Sequence, residues 1–197
     1  MIAPHFKRSP LDGLRWTLER GLRRVRIGTF SFLYGNWLRL RGVLIGRKVR
    51  FEGRVLIKGA HRIRIGSHTT VGRLIQLDTF REGYIDIGEH CFIGHFTIIT
   101  ADTLVTIGDR VLISPTCFIS DINHGTAGNA AILDVSPEKA QPVNIGSGSW
   151  LGTMTTVVAG AQIGEGAVIG AGSLVNCPIP PLAIAVGRPA KVVKTRS

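Results

Sequence analysis

His124 stands in the run Ser120-Asp121-Ile122-Asn123-His124-Gly125-Thr126. A free imidazole titrates near pH ~6.5, so a neutral histidine can take a proton from a substrate hydroxyl and release it again. Asp121, three residues earlier, is a candidate to orient that ring, and Asn123 is a polar neighbour able to contact an acceptor. Three cysteines, Cys91, Cys117 and Cys177, make neither a disulfide framework nor a paired metal motif. They read as reduced thiols of a cytosolic protein, and Cys117 and Cys177, with no base beside them in sequence, as buried and inert rather than nucleophilic.

Something regular must position such a loop, and the regularity is a period of six. Ile145, Leu151, Val157, Ile163, Ile169 and Val175 keep one six-residue register without a break. Shorter runs precede it: Ile65, Val71, Leu77; Ile87, Ile93, Ile99; Ile107, Ile113, Ile119; and a degenerate Phe51, Ile57, Ile63. Six is neither the period of an amphipathic helix nor that of a half-buried strand. It predicts short strands joined by tight turns and stacked as a solenoid, each coil covering its neighbour. Glycine follows the aliphatic residue in nine Ile-Gly dipeptides, which lets coils approach closely.

The register fails after Ile119 and resumes at Ile145, so a loop over about 120–144, containing Pro137 and Pro142, must be extruded. His124 falls inside it. Loops on rigid scaffolds are where binding and chemistry concentrate. The 25 glycines and a charged fraction of 19% exclude a disordered chain, and no glycine recurs every third residue as collagen requires.

The hexads resemble the hexapeptide-repeat family, strongly from about Tyr84 to Lys194 and more weakly over 43–83. That resemblance implies an all-β solenoid, a left-handed parallel β-helix of triangular section. It would fill a catalytic domain over 43–187, followed by a tail over 188–197. It also implies a homotrimer with sites between subunits. Within the family, the run Val105-Thr106-Ile107-Gly108-Asp109-Arg110-Val111-Leu112-Ile113-Ser114-Pro115, with His124 nine residues on, resembles the galactoside and maltose O-acetyltransferases. Asn123-His124-Gly125 resembles the bacterial polysaccharide O-acetyltransferases. The resemblance implies transfer of acetyl from acetyl-CoA to a sugar hydroxyl, with His124 as base and Asp102 holding the acceptor. The family's acceptor-contacting Asn falls on Gly94, with His95 beside it, which argues against a simple galactoside.

The acyl-donor side rests on the same resemblance. Ser149-Trp150-Leu151-Gly152-Thr153 is similar to the family's Trp-Ile-Gly turn. By that likeness the Thr153 N–H, fixed by Gly152, would stabilise the oxyanion, a role needing an amide rather than a side chain. Trp150 would line the pantetheine or acceptor channel. Val158-Ala159-Gly160 stands where the family has Leu-Pro-Gly, and Gly170-Ala171-Gly172-Ser173 matches a turn whose Ala backbone contacts pantetheine. Val186-Gly187-Arg188-Pro189-Ala190-Lys191 resembles the closing motif, and its Arg188 and Lys191 suit CoA phosphates. No metal is expected under this reading.

Three other readings compete. One is an N-acetyltransferase of a nucleotide-linked amino sugar. Another is a zinc hydratase like the γ-type carbonic anhydrases, using His90 and His95 at their five-residue spacing with His68 or His124 as third ligand. The last is a β-helical scaffold without activity.

The net charge of +11 is concentrated at one end, since residues 1–50 carry 12 Lys or Arg against Asp12 and Glu19. Ser9-Pro10 with Asp12 is a helix-start signature. Leu11, Leu14, Leu18, Leu22 and Val25 then fall on one face, and Arg15, Glu19, Arg20, Arg23 and Arg26 on the other. An aromatic-rich stretch follows from Ile27 to Leu38, 12 uncharged residues and too short to span a bilayer. Residues 1–42 therefore read as a basic amphipathic segment, suited either to the cytoplasmic face of an anionic membrane or to packing its Leu face on the base of the β-helix. No secretory leader pattern is evident, and nucleic acid is not expected as a partner.

Overall fold

The structure, a computed structural model, describes residues 10–126, 128–129, 131, 135 and 139–196. Ser9 and Pro137 lie outside the described residues, as do the side chains of Leu11, Leu14, Arg15, Leu18, Arg20 and Arg23.

Each run of three hexads is one circuit of a triangular prism, a left-handed parallel β-helix. The first face stacks the strands Leu44–Ile45, Ile63–Ile65, Tyr84–Ile87, Leu104–Ile107, Val143–Ile145 and Gln162–Ile163. The second face rises from Arg50–Phe51 to Ala183–Gly187, and the third from Val55–Lys58 to Leu174–Val175. The aliphatic hexad positions point inward and meet coil to coil. On the first face Ile65, Ile87, Ile107, Ile145 and Ile163 stand in register. Ile93, Ile113, Leu151 and Ile169 do so on the second, and Leu77, Ile99, Ile119, Val157 and Val175 on the third. All are buried, and each such side chain contributes about 1.5–3 kcal/mol of transfer free energy.

The glycines after these residues are tight spots. A Cβ on Gly152 would come within 2.5 Å of the Ala171 nitrogen in the next coil. Beside them, small polar residues plug the corners. The Thr69 hydroxyl donates to the Gly88 carbonyl at 2.9 Å, and the Cys91 and Cys117 thiols do the same to Gly108 and Gly152 at 3.1 and 3.3 Å. Burial pushes both thiols' pKa up, so they stay protonated. Cys177, expected to be buried with them, is exposed.

The breaks in the period have a single location. The long steps from Ile57 to Ile65, Leu77 to Ile87, Ile99 to Ile107 and Ile119 to Ile145 all pass from the third face to the first. Turns at the other two corners keep to six, so the ladder never loses phase. The largest step extrudes residues 121–142, slightly less than the 120–144 expected, because the strand Val143–Ile145 pairs with both neighbours on the first face.

One helix, Pro10–Leu40, runs through the aromatic stretch and covers the first coil. Among its described side chains Ser31 and Leu38 are buried, with Phe30 and Tyr34 packed against the core. The Ser31 hydroxyl donates to the Phe51 carbonyl and accepts the Phe51 N–H, both at 2.9 Å. Tyr34 does the same for Val55 at 3.0 Å. Leu22 and Val25, the described members of the Leu face read from the sequence, are exposed. At the other end, Ala190–Thr195 pairs antiparallel with Ala183–Gly187 and closes the second face.

Candidate active site

The corner between the third and first faces holds a cavity of about 400 Å³ lined by Phe80, Arg81, Asp102, Ile122, Asn123, His124 and Ala140. Each coil contributes its inserted residues: Phe80 and Arg81 from one long step, Asp102 from the next, and Ile122, Asn123, His124 and Ala140 from the extruded loop. His124 is exposed at this corner, and its imidazole makes no hydrogen bond to any described residue. Such a ring is free to accept a proton from a hydroxyl held in the cavity.

Asp121 has a different task from the one its spacing suggested. It is fully buried, and its carboxylate accepts three backbone N–H bonds, from Asp102, Thr103 and Leu104, each at 2.7 Å. None comes from His124. Its own carbonyl accepts the Gln141 N–H at 3.2 Å, so Asp121 pins both ends of the extruded loop to the coil below. Asp102 in turn pairs with Arg81 at 3.1 Å, and the Arg62 guanidinium supports Arg81 from the next coil down, reaching its carbonyl oxygen and the Glu82 carboxylate. Sequence reasoning missed Phe80 and Arg81. Their signal was the long step from Leu77 to Ile87, which marks added residues at this corner.

The other expected residues stand elsewhere. Gly152, Thr153, Ala171 and His95 occupy the corner between the second and third faces, with Ala171 one coil above Thr153 and His95 two coils below it. The backbone N–H groups of Thr153 and Ala171 donate to no described group. This corner is thus a row of unused amide donors, suited to the amide and thioester carbonyls of a pantetheine arm. Trp150 projects outward from the second face, its Nε1 donating to the Ser114 hydroxyl at 3.0 Å. Arg188 sits in the turn of the terminal hairpin above Ala171, and Lys191 follows on the returning strand, both exposed. Gly160, with φ 80°, lies on the His124 corner, where its N–H donates to the Gln141 carbonyl. A Cβ on Gly94 would run into the Pro115 backbone nitrogen, so no acceptor-contacting side chain fits there.

Histidine geometry also bears on the zinc reading. His90 stacks on His68 with ring centres 4.8 Å apart, at the corner between the first and second faces. His95 is at the next corner, its Nδ1 accepting the Arg73 N–H at 2.8 Å and its Nε2 3.6 Å from Glu52. The five-residue spacing therefore splits the pair between two edges of the prism. No three metal-ligating side chains converge among the described residues.

Residues 142–177 match the bacterial transferase hexapeptide family (six repeats). An Escherichia coli protein provisionally named as a lipopolysaccharide biosynthesis O-acetyl transferase, WbbJ, is 32% identical over 167 residues, covering 79% of this chain and 85% of the relative. The chain belongs to the hexapeptide-repeat acyltransferases. A Mycobacterium tuberculosis protein provisionally named an acetyltransferase is 31% identical over 94% of this chain, which spans 63% of that relative's length. Among solved structures, the Bacillus cereus N-acyltransferase AntD, in complex with dTDP and 3-hydroxybutyryl-CoA, shares the fold with a TM-score of 0.74 at 22% identity, over 83% of this chain and 88% of the other. A maltose O-acetyltransferase from Clostridium difficile aligns with a TM-score of 0.57 at 25% identity, over 90% of this chain and 84% of that one.

Proposed function

We propose that this hexapeptide-repeat acyltransferase moves an acetyl group from acetyl-CoA to a sugar hydroxyl during bacterial surface-polysaccharide synthesis. The observation that carries the reading is the His124 imidazole, without a hydrogen-bond partner among the described residues, on a cavity walled by Asp102, Arg81 and Asn123. The acceptor hydroxyl sits against His124 with its neighbouring hydroxyls on Asp102 and Asn123. His124 takes the hydroxyl proton as the oxygen attacks the thioester carbonyl. The Thr153 N–H meets the negative charge on the tetrahedral oxygen, and Ala171 holds the pantetheine beside it. Collapse breaks the carbon–sulfur bond, and the proton passes from the imidazolium to the departing CoA thiolate. No enzyme-bound acyl intermediate is needed. Arg188 and Lys191 face the CoA phosphates.

His124 and Thr153 lie on different corners of one prism. This supports a homotrimer in which the His124 corner of one copy faces the Thr153 corner of the next, with Trp150 and His95 bordering the same cleft. Cytoplasmic residence is supported by three unbridged cysteines, and the N-terminal segment gives the enzyme a peripheral membrane contact. No helix among the described residues is long and apolar enough to cross a bilayer.

A second reading, N-acetylation of a nucleotide-linked amino sugar, is favoured by one observation. Arg81 at the mouth of the cavity could meet a diphosphate. One experiment separates the two: screening hydroxyl and amino sugars, free and nucleotide-linked, with acetyl-CoA and reading thiol release. An ester product is cleaved by hydroxylamine and an amide is not. Turnover that survives His124→Ala would remove the histidine as base.

A further inference from the structure

The N-terminal helix has two apolar sides, and the β-helix covers one of them. At about 100° per residue, Ser31 and Leu38 point the same way, toward the first coil. Leu22, Val25, Phe32, Leu33 and Leu40 fall within about 100° of arc on the opposite side. These five are 71%, 69%, 69%, 63% and 88% exposed. Isolated exposed leucines need no explanation, but an aligned stripe along one helix does. Trp37 borders it, with the Arg41 guanidinium over its ring at 5.1 Å.

The charge around this stripe narrows what can cover it. Ten of the chain's eleven net positive charges fall in residues 1–50. Arg26, Arg41, Arg47 and Lys48 are exposed on the helix or the first coil, and Lys48 lines the same groove as Phe32. Two copies meeting through this face would bring like charge against like charge. A nucleic acid would satisfy the cations and leave the leucines in water. An anionic bilayer satisfies both, accepting the apolar stripe below its headgroups while phosphates meet the arginines.

We propose that the outward face of the helix Pro10–Leu40 docks the protein on an anionic lipid surface, lying in its plane with the β-helix standing above. The cavity at His124 belongs to the fourth strand of the third face, three strand spacings or about 15 Å above the first. Docking of this kind brings the cavity within reach of a saccharide anchored in the same membrane.

The test is co-sedimentation of the full chain with vesicles of phosphatidylcholine alone and with about a third phosphatidylglycerol, at low and high salt. Binding at least tenfold tighter to the anionic vesicles, weakened by salt, is expected. The fourfold variant Leu22→Gln, Val25→Gln, Phe32→Gln, Leu33→Gln should lose at least tenfold of it. Light scattering and circular dichroism on the variant should match the parent, because none of the four side chains is buried. Arg47→Gln with Lys48→Gln, two exposed changes, should weaken anionic binding and leave the apolar stripe intact. Equal binding of parent and fourfold variant would overturn the proposal, as would indifference to phosphatidylglycerol. A fourfold variant that binds vesicles normally but loses oligomeric mass would assign the stripe to contacts between copies instead. None of these readouts depends on turnover, so they stand apart from the catalytic reading.

Discussion

The buried carboxylate of Asp121 grips the turn that carries Asp102, accepting the N–H groups of Asp102, Thr103 and Leu104 at 2.7 Å each. One residue thereby fixes both the root of the His124 loop and the opposite wall of the cavity. Asp121→Asn puts an amide donor against backbone donors and removes the charge that strengthens these bonds. A loss of about 2 kcal/mol is expected, lowering Tm by about 4–8 °C in a domain of this size. Turnover should fall as well, and both are read by thermal melting and CoA-release assays on the same preparation. An unchanged Tm would show that the clamp carries no load.

His124→Ala should behave in the opposite way. Its ring contacts no described hydrogen-bonding group and is exposed, so Tm should stay within about 1 °C of the parent. Loss of a general base lowers kcat by about 100- to 10,000-fold. Steady-state thiol release beside a melting curve checks both halves.

Arg81→Ala removes the partner of Asp102 at the cavity wall. The Arg81 side chain is largely exposed, so stability should change by less than about 1 kcal/mol. The expected effect is on acceptor KM, with the KM for acetyl-CoA unaltered, because the proposed mechanism gives the two substrates different corners. A rise confined to acetyl-CoA would contradict that division.

Two glycine substitutions should move stability in opposite directions. Gly152→Ala forces a methyl to within 2.5 Å of the Ala171 nitrogen, parting two coils, and should cost about 1–3 kcal/mol. Gly28→Ala lies in the helix with nothing within 4 Å of the new methyl, and should gain about 0.5–1 kcal/mol. Denaturant melts of the two variants give the comparison.

Thiol chemistry offers a direct check on the core. Burial raises the pKa of Cys91 and Cys117, so at pH 7–8 their reactive thiolate form is scarce as well as covered. Ellman's reagent should find one fast thiol per native chain, Cys177, and all three after unfolding. Three fast thiols in the native protein would contradict the packed ladder.

The hexads made the solenoid, the inward ladder and the place of the extruded loop legible from residues alone. The division of the site between corners was not, because linear spacing does not say which residues share an edge until the length of a circuit is known. Asp121 illustrates this. Three residues from His124 in sequence, it bonds instead to residues 17–19 positions away, one coil below. The N-terminal helix was legible in part. Hydrophobic periodicity picks out Leu22 and Val25, which stand exposed, whereas contact with the first coil runs through Ser31 and Leu38 in the aromatic-rich stretch beyond.

All departures from the six-residue step sit on one edge of the prism, and that concentration separates two properties that most folds entangle. Lengthening a surface loop is thermodynamically mild, about 0.6 kcal/mol per doubling. Here it also leaves the phase of every stacked isoleucine untouched. Residues 125–140 can therefore be exchanged for a shorter or longer segment, with Asp121 to His124 and Gln141 kept in place, and the remaining faces should still fold. On the proposed reading, acceptor range becomes an exchangeable cassette, open to change without renegotiating the scaffold that carries it.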